Sequence, residues 1–200
     1  MIVTVASYKG GVCKTTTAVH LAAFLDSLAP DQTALLDGDP TKNATAWSLR
    51  GKGFPFPVAP VEAAAKYARQ FPHLVLDTGQ RPSVEDLKGN ANYSDLLVIP
   101  AVPSSLDTDG LVQTIMALKQ IEGAKFRVLL TRVAADAARQ ALDLRELLAT
   151  HDVPVFRAEI PRLKAFEKAA GAGTIVSAVD DRNAERAWAA YAAAGQELLG

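Results

Sequence analysis

The sequence predicts a doubly wound α/β fold over residues 1–200: one domain with a mostly parallel sheet and helices on both faces. Three observations carry this reading. Short β-rich runs alternate with helical segments along the whole chain. Most of the runs are continuous apolar blocks without polar alternation, as expected for strands covered on both sides. A glycine-rich loop separates the first strand from the first helix, and in such folds the carboxyl ends of the strands form the ligand edge.

In chain order, IVTVA (2–6) reads as the first strand and runs into SYKGGVCKTTT (7–17). Ala18, Leu21, Ala22, Leu25 and Leu28 then recur at helical spacing and give one apolar face. TALLD (33–37) is the second strand. GKGFPFPVAP (51–60), rich in Gly and Pro, reads as a loop rather than a domain boundary. HLVLD (73–77) and DLLVIP (95–100) are strands, followed by a helix over 108–121. RVLLT (127–131), a helix over 136–149 and the strand PVFRAEI (154–160) come next. A helix over 183–199 closes the chain, with Trp188, Tyr191 and Leu198 in an alanine-rich stretch. No internal repeat is visible.

The composition narrows the function. A net charge of -1 gives no global attraction to nucleic acid, so any DNA contact must come from a local basic patch. One cysteine excludes an internal disulfide framework and a tetracysteine metal site, and suits a reducing cytoplasm. No run approaches the ~20 apolar residues of a membrane span, and the first residues lack the pattern of a signal peptide.

The loop carries the chemistry. Backbone N–H groups of Gly10, Gly11, Val12, Cys13, Lys14, Thr15 and Thr16, at the start of a helix, are placed to cradle phosphates. Lys14 would reach the β and γ oxygens and the Thr15 hydroxyl would ligate magnesium. The strict pattern G-x-x-x-x-G-K-[ST] fails twice, at Tyr8 and at Cys13.

K-G-G-x-x-K-T-T, with Lys9 ahead of the glycine pair, resembles the deviant Walker A motif of the ParA/MinD family of P-loop ATPases. The resemblance covers nearly the whole chain and is nearest to the small ParA-type partition ATPases. It implies that Lys9 crosses a nucleotide-sandwiched homodimer interface to the partner's ATP. LLDGDPTKNAT (35–45) resembles the family's D-x-D-P segment, which makes Asp37 a holder of magnesium or its waters and Asp39 the residue positioning the attacking water. LVLDTGQRPS (74–83) resembles a weak Walker B strand, with Asp77 holding magnesium through water; Arg81 departs from the family pattern and has no assigned role. Thr131 and Arg132 after RVLLTR (127–132), and Pro161 and Arg162 in the I-P-R segment, are implied as adenine-side residues. Pro161 could also open a helix, where its missing N–H does no harm.

Cys13 leaves three readings open: an accommodated residue in a slower or weaker site, a block that makes the site degenerate, or a redox switch. The last expects the helix N-terminus, Lys9 and Lys14 to lower the thiol pKa.

The resemblance implies ATP and Mg2+ as ligands, dimerisation on ATP binding, nonspecific DNA binding by the dimer, and release by a cargo-bound, ParB-like stimulator. The place would be the cytoplasm, on the nucleoid, with cargo a plasmid, a chromosome origin or a protein assembly. The tail ERAWAAYAAAGQELLG lacks the basic face of a membrane-targeting helix, so no membrane partner is expected. Arg157, Arg162, Lys164, Lys168, Arg182 and Arg186 are candidate DNA contacts, interspersed with acids. The rival readings are a nucleotide-binding regulatory subunit with impaired hydrolysis and a small-molecule ligase of the same fold.

Overall fold

The computed structural model describes residues 1–7, 9–80, 82–103 and 108–200; Tyr8, Arg81 and residues 104–107 lie outside the described residues. Seven strands form one sheet: β1 (Ile2–Ser7), β2 (Thr33–Gly38), β3 (Val58–Pro60), β4 (His73–Gln80), β5 (Leu96–Ala101), β6 (Phe126–Val133) and β7 (Val155–Pro161). Their order is β3-β2-β4-β1-β5-β6-β7 and every pairing is parallel. The helices are α1 (Lys14–Leu28), α2 (Asn43–Ser48), α3 (Ala64–Tyr67), α4 (Val84–Tyr93), α5 (Thr108–Lys119), α6 (Ala138–Thr150), α7 (Lys164–Ala172) and α8 (Ala184–Leu199). The chain winds from β1 to one side for β2 and β3, and to the other for β5 to β7. The carboxyl end of β1 therefore lies beside the switch in direction, where open α/β sheets bind ligands.

The continuous apolar runs are explained by two cores. Val3, Val5, Val98 and Leu129 pack on the face covered by α1, α7 and α8, with Leu21, Leu25, Phe156 and Tyr191. Their neighbours Ala6, Leu97, Ile99, Val128 and Leu130 face the other way, against Leu87 of α4, Leu111, Ile115 and Leu118 of α5, and Leu144 and Leu148 of α6. Each fully buried aliphatic side chain contributes about 1.5–3 kcal/mol, so both faces are needed to hold the central strands.

α1 is not the one-faced helix its spacing suggests. It is buried around most of its circumference between the sheet and α8, while the expected face residue Leu28 is 52% exposed at its end. Gly195 of α8 makes this possible, because a Cβ there would lie 2.2 Å from the Phe24 ring.

Three further expectations are corrected. Val58–Pro60, inside the stretch read as a loop, forms β3; its proline suits it to the sheet edge, since Pro60 has no N–H to donate to a second neighbour. Pro161 ends β7 and pairs beside Val133, and the following helix begins only at Lys164. β4 continues three residues past Asp77, so this acid sits within the strand rather than at its end.

The opposite edge, β7, is covered by α8. Glu197 accepts hydrogen bonds from the backbone N–H groups of Arg157 (2.9 Å) and Ala158 (2.8 Å). No helix of the described residues is long and apolar enough to cross a membrane.

Candidate nucleotide site

β1 ends at Ser7 and α1 begins at Lys14, leaving Lys9, Gly10, Gly11, Val12 and Cys13 as the loop between them. Gly11 has φ 78°, and a Cβ built on it would meet nothing within 4 Å, so the space over the loop is open. Cys13 caps α1 in the left-handed region, at φ 67° and ψ 33°. This is the conformation that favours glycine, and the cysteine adopts it.

The loop is tied down from β6. The single proton of the fully buried Thr131 hydroxyl is shared between the carbonyls of Val12 (3.1 Å) and Ala101 (3.3 Å). Arg132, itself at φ 52°, donates from Nη1 to the Gly11 carbonyl at 3.2 Å. Thr131 is thus a strut beneath the loop, with its side chain turned to backbone carbonyls. Pro161 pairs in register with Val133, and the Arg162 N–H donates to the Val133 carbonyl at 2.9 Å. The four residues assigned to the adenine side therefore converge at the ends of β6 and β7.

Lys14 is buried, and its Nζ donates to the Lys9 carbonyl at 3.3 Å. Burial lowers its pKa, while Asp77 and Asp39 pull it back up. Lys9 donates its backbone N–H to the Ser7 hydroxyl at 3.2 Å.

Parallel pairing places Asp37 of β2 directly beside Asp77 of β4, and Asp77 beside Val5 of β1. All three acids, Asp37, Asp39 and Asp77, are buried. Asp37 is well satisfied: Oδ2 accepts from the Thr45 N–H (2.9 Å) and hydroxyl (2.6 Å), and Oδ1 from the Asp39 N–H (3.2 Å). Asp39 accepts from the Thr41 N–H (2.8 Å) and hydroxyl (2.5 Å). Neither oxygen of Asp77 has a donor in full hydrogen-bond geometry, and the Thr15 hydroxyl is near enough only to act on it weakly. Burial pushes its pKa up to about 7; Asp37 and Asp39 add to the rise, while the nearby Thr15 hydroxyl and Lys14 act against it.

Two orphaned, buried carboxylate oxygens beside Thr15 suit a cation, which would satisfy both at once. Among the described residues no three His, Cys, Asp or Glu side chains form a self-sufficient metal cage. A magnesium ion is ordinarily held by one or two carboxylates together with substrate phosphates, which matches this donor set.

Burial raises the Cys13 thiol pKa, and the Arg132 guanidinium opposes the rise only in part. The cation that acts on the thiol is therefore Arg132, and the direction is opposite to the one a redox switch requires.

Sequence reasoning missed a scaffold behind the loop. α2 is pinned at its start by Thr45 on Asp37 and at its end by Trp47, whose Nε1 donates to the carbonyls of Ala169 (3.2 Å) and Thr174 (3.0 Å). His20 of α1 is fully buried, bonded at Nδ1 to the Thr16 carbonyl (2.7 Å) and accepting at Nε2 from the Val176 N–H (3.1 Å). Its ring stacks on Tyr191 with centroids 4.8 Å apart. Only the Thr45 spacing, two positions into a helix opened by D-P-T-K-N, offered a capping signal in the sequence.

The proposed DNA contacts are all exposed, but Lys168 is paired with Asp181 at 2.7 Å.

A cavity of about 360 Å3 lies over the loop, lined by Gly11, Cys13, Lys14, Thr15 and Thr16 and faced by Asp39 and α2. Open backbone donors, a buried lysine and an acid pair across β2 and β4 at one end of a parallel sheet mark a phosphate-binding site of the P-loop class. The chain belongs to the CobQ/CobB/MinD/ParA nucleotide binding domain family, whose profile matches residues 3–176.

A curated relative, maintenance of carboxysome distribution protein A of Gloeobacter kilaueensis, is 34% identical over 203 residues, covering 98% of this chain and 93% of its own. Among solved structures, MinD in the MinC:MinD cell division complex of Aquifex aeolicus superposes with TM-score 0.79 at 14% identity, covering 100% of this chain and 95% of that one. An ATP complex of Cyanothece McdA gives TM-score 0.72 at 18% identity, with 100% and 96% covered. Both likenesses are of fold.

Proposed function

We propose that this chain is an ATP-dependent, dimerising positioning ATPase that distributes a protein assembly over nonspecific DNA. The observation that carries the reading is Lys9 directly ahead of the Gly10–Gly11 pair, in a loop that leads into Lys14 and Thr15 beside the buried Asp77 carboxylate. The 34% identical relative favours a carboxysome-like assembly over a plasmid as cargo.

In this reading the loop N–H groups and Lys14 bind the ATP phosphates, and Lys9 reaches the nucleotide of the partner copy. Thr15, Asp37 and Asp77 would hold Mg2+ or its waters, and the ion would neutralise charge on the phosphates. Asp39, fixed by Thr41, orients the attacking water, since phosphoryl transfer asks for position more than for a strong base. Cys13 is accommodated, because it already holds the conformation that glycine would supply. The ATP dimer binds DNA through phosphate contacts, which weaken steeply with salt. A cargo-bound stimulator protein then triggers hydrolysis and release on the cytoplasmic nucleoid.

The test is fluorescence anisotropy on a random DNA duplex at low salt with Mg-ATP, Mg-ADP or no nucleotide, alongside phosphate release. Binding with ATP alone is expected. Trapped ATP without turnover would favour the regulatory subunit, and DNA-independent turnover of a small molecule would favour the ligase.

A further inference from the structure

The nucleotide cavity has a wall that no part of the loop motif supplies. Its lining includes two cations: Lys14, and Arg50 from the segment just after α2. Lys14 is only 6% exposed and bonded to the Lys9 carbonyl, whereas Arg50 is exposed and lines the cavity beside Ala170. We propose that Arg50 is a phosphate ligand of the bound nucleotide, a cation brought to the cavity from outside the loop. This rests on the nucleotide-binding reading above and adds a residue to it.

Arg50 is held on a rigid support. Trp47 fixes α2 to the carbonyls of Ala169 and Thr174. The following turn packs backbone against backbone: a Cβ on Gly51 would lie 2.1 Å from the Ala172 carbonyl oxygen, and one on Gly173 2.3 Å from the Gly51 nitrogen. Arg50 spends Nη1 on the Ala170 carbonyl at 3.3 Å. A guanidinium carries five donors in a planar fork, so one such bond orients the group and leaves the fork able to engage a phosphate. Two parallel N–H donors match two phosphate oxygens, a geometry an ammonium cannot reproduce.

The plain alternative is that Arg50 only caps the last carbonyls of α7, a favourable place for a cation. That role moves stability, whereas a ligand role moves affinity. The experiment titrates the full-length protein with a fluorescent ATP analogue and Mg2+, and melts each variant without nucleotide. Arg50→Ala should weaken binding about 10-fold with the melting temperature nearly unchanged, and Arg50→Lys should recover only part of the affinity. Equal affinity in wild type and Arg50→Ala would overturn the proposal. If Arg50→Ala also loses stability, Arg50→Lys decides: affinity that follows the melting temperature across both variants overturns it, and affinity that follows the charge supports it. Wild-type protein that fails to bind the analogue would instead remove the nucleotide reading itself.

Discussion

Asp37 and Asp77 are direct neighbours in register across β2 and β4, yet one carboxylate accepts three hydrogen bonds and the other none. Asp37 anchors α2, and Asp77 is the acid kept open. Above pH 7, where Asp77 is charged, Asp77→Asn should therefore raise the melting temperature of the nucleotide-free protein by roughly 2–6 °C, because burial and repulsion from Asp37 and Asp39 outweigh the pull of Thr15 and Lys14. The same variant should lose magnesium-dependent turnover. A fall in melting temperature would mean that the charge has a partner in solution.

Thr131→Val keeps the shape of the strut and removes its donor. The Val12 and Ala101 carbonyls lose that bond, at a cost of about 1–3 kcal/mol. Denaturant unfolding should show this loss, and nucleotide affinity should fall because the loop is no longer held at Val12. Unchanged affinity would show that Arg132 alone suffices.

Cys13→Gly removes a left-handed penalty of about 1–2 kcal/mol but frees the unfolded chain, so the two nearly offset in stability. Nucleotide binding should tighten. With its pKa raised by burial, the native thiol should react with iodoacetamide at neutral pH more slowly than free cysteine. Faster labelling would restore the redox reading.

His20 is neutral in the fold, with its pKa lowered to about 4 by burial. The unfolded chain binds its proton near pH 6.5, so the His20 contribution is full above that value and is lost as pH falls toward 4. The loss is on the order of 3 kcal/mol. Asp77 works in the opposite direction over part of this range, so the measurement is the difference between wild type and His20→Gln. The stability gap between them should narrow on acidification; a constant gap would contradict the assignment.

Gly195→Ala should destabilise by about 1–3 kcal/mol, because its Cβ would meet the Phe24 ring at 2.2 Å. A thermal melt checks this; an unchanged midpoint would mean that α8 can lift from α1 without cost.

The strand–loop–helix start, the apolar runs and the acids of β2 and β4 were legible because each is written in adjacent residues. The features that depend on distant contacts were not. β3 is three residues flanked by proline, too short for periodicity to register, and it exists because β2 offers an edge. Ser83 and Asp86 form a capping box at the start of α4, a local signal that was available but lay in a weakly apolar stretch. Arg50 reads as an ordinary surface cation until the Gly51–Gly173 contact brings α2 against α7. The Cys13 thiol shows the limit most clearly: neighbouring lysines in sequence suggested a lowered pKa, whereas its depth in the fold raises it.

The Glu197 carboxylate on the β7 backbone has a consequence for assembly. Two main-chain donors that a visiting strand would need are already spent within the chain. At this edge the sheet resists continuation into a second molecule, and natural proteins guard against end-to-end stacking in this way. Any pairing of two copies therefore has to use a surface other than the β7 backbone, which leaves the carboxyl ends of the strands free of that competition.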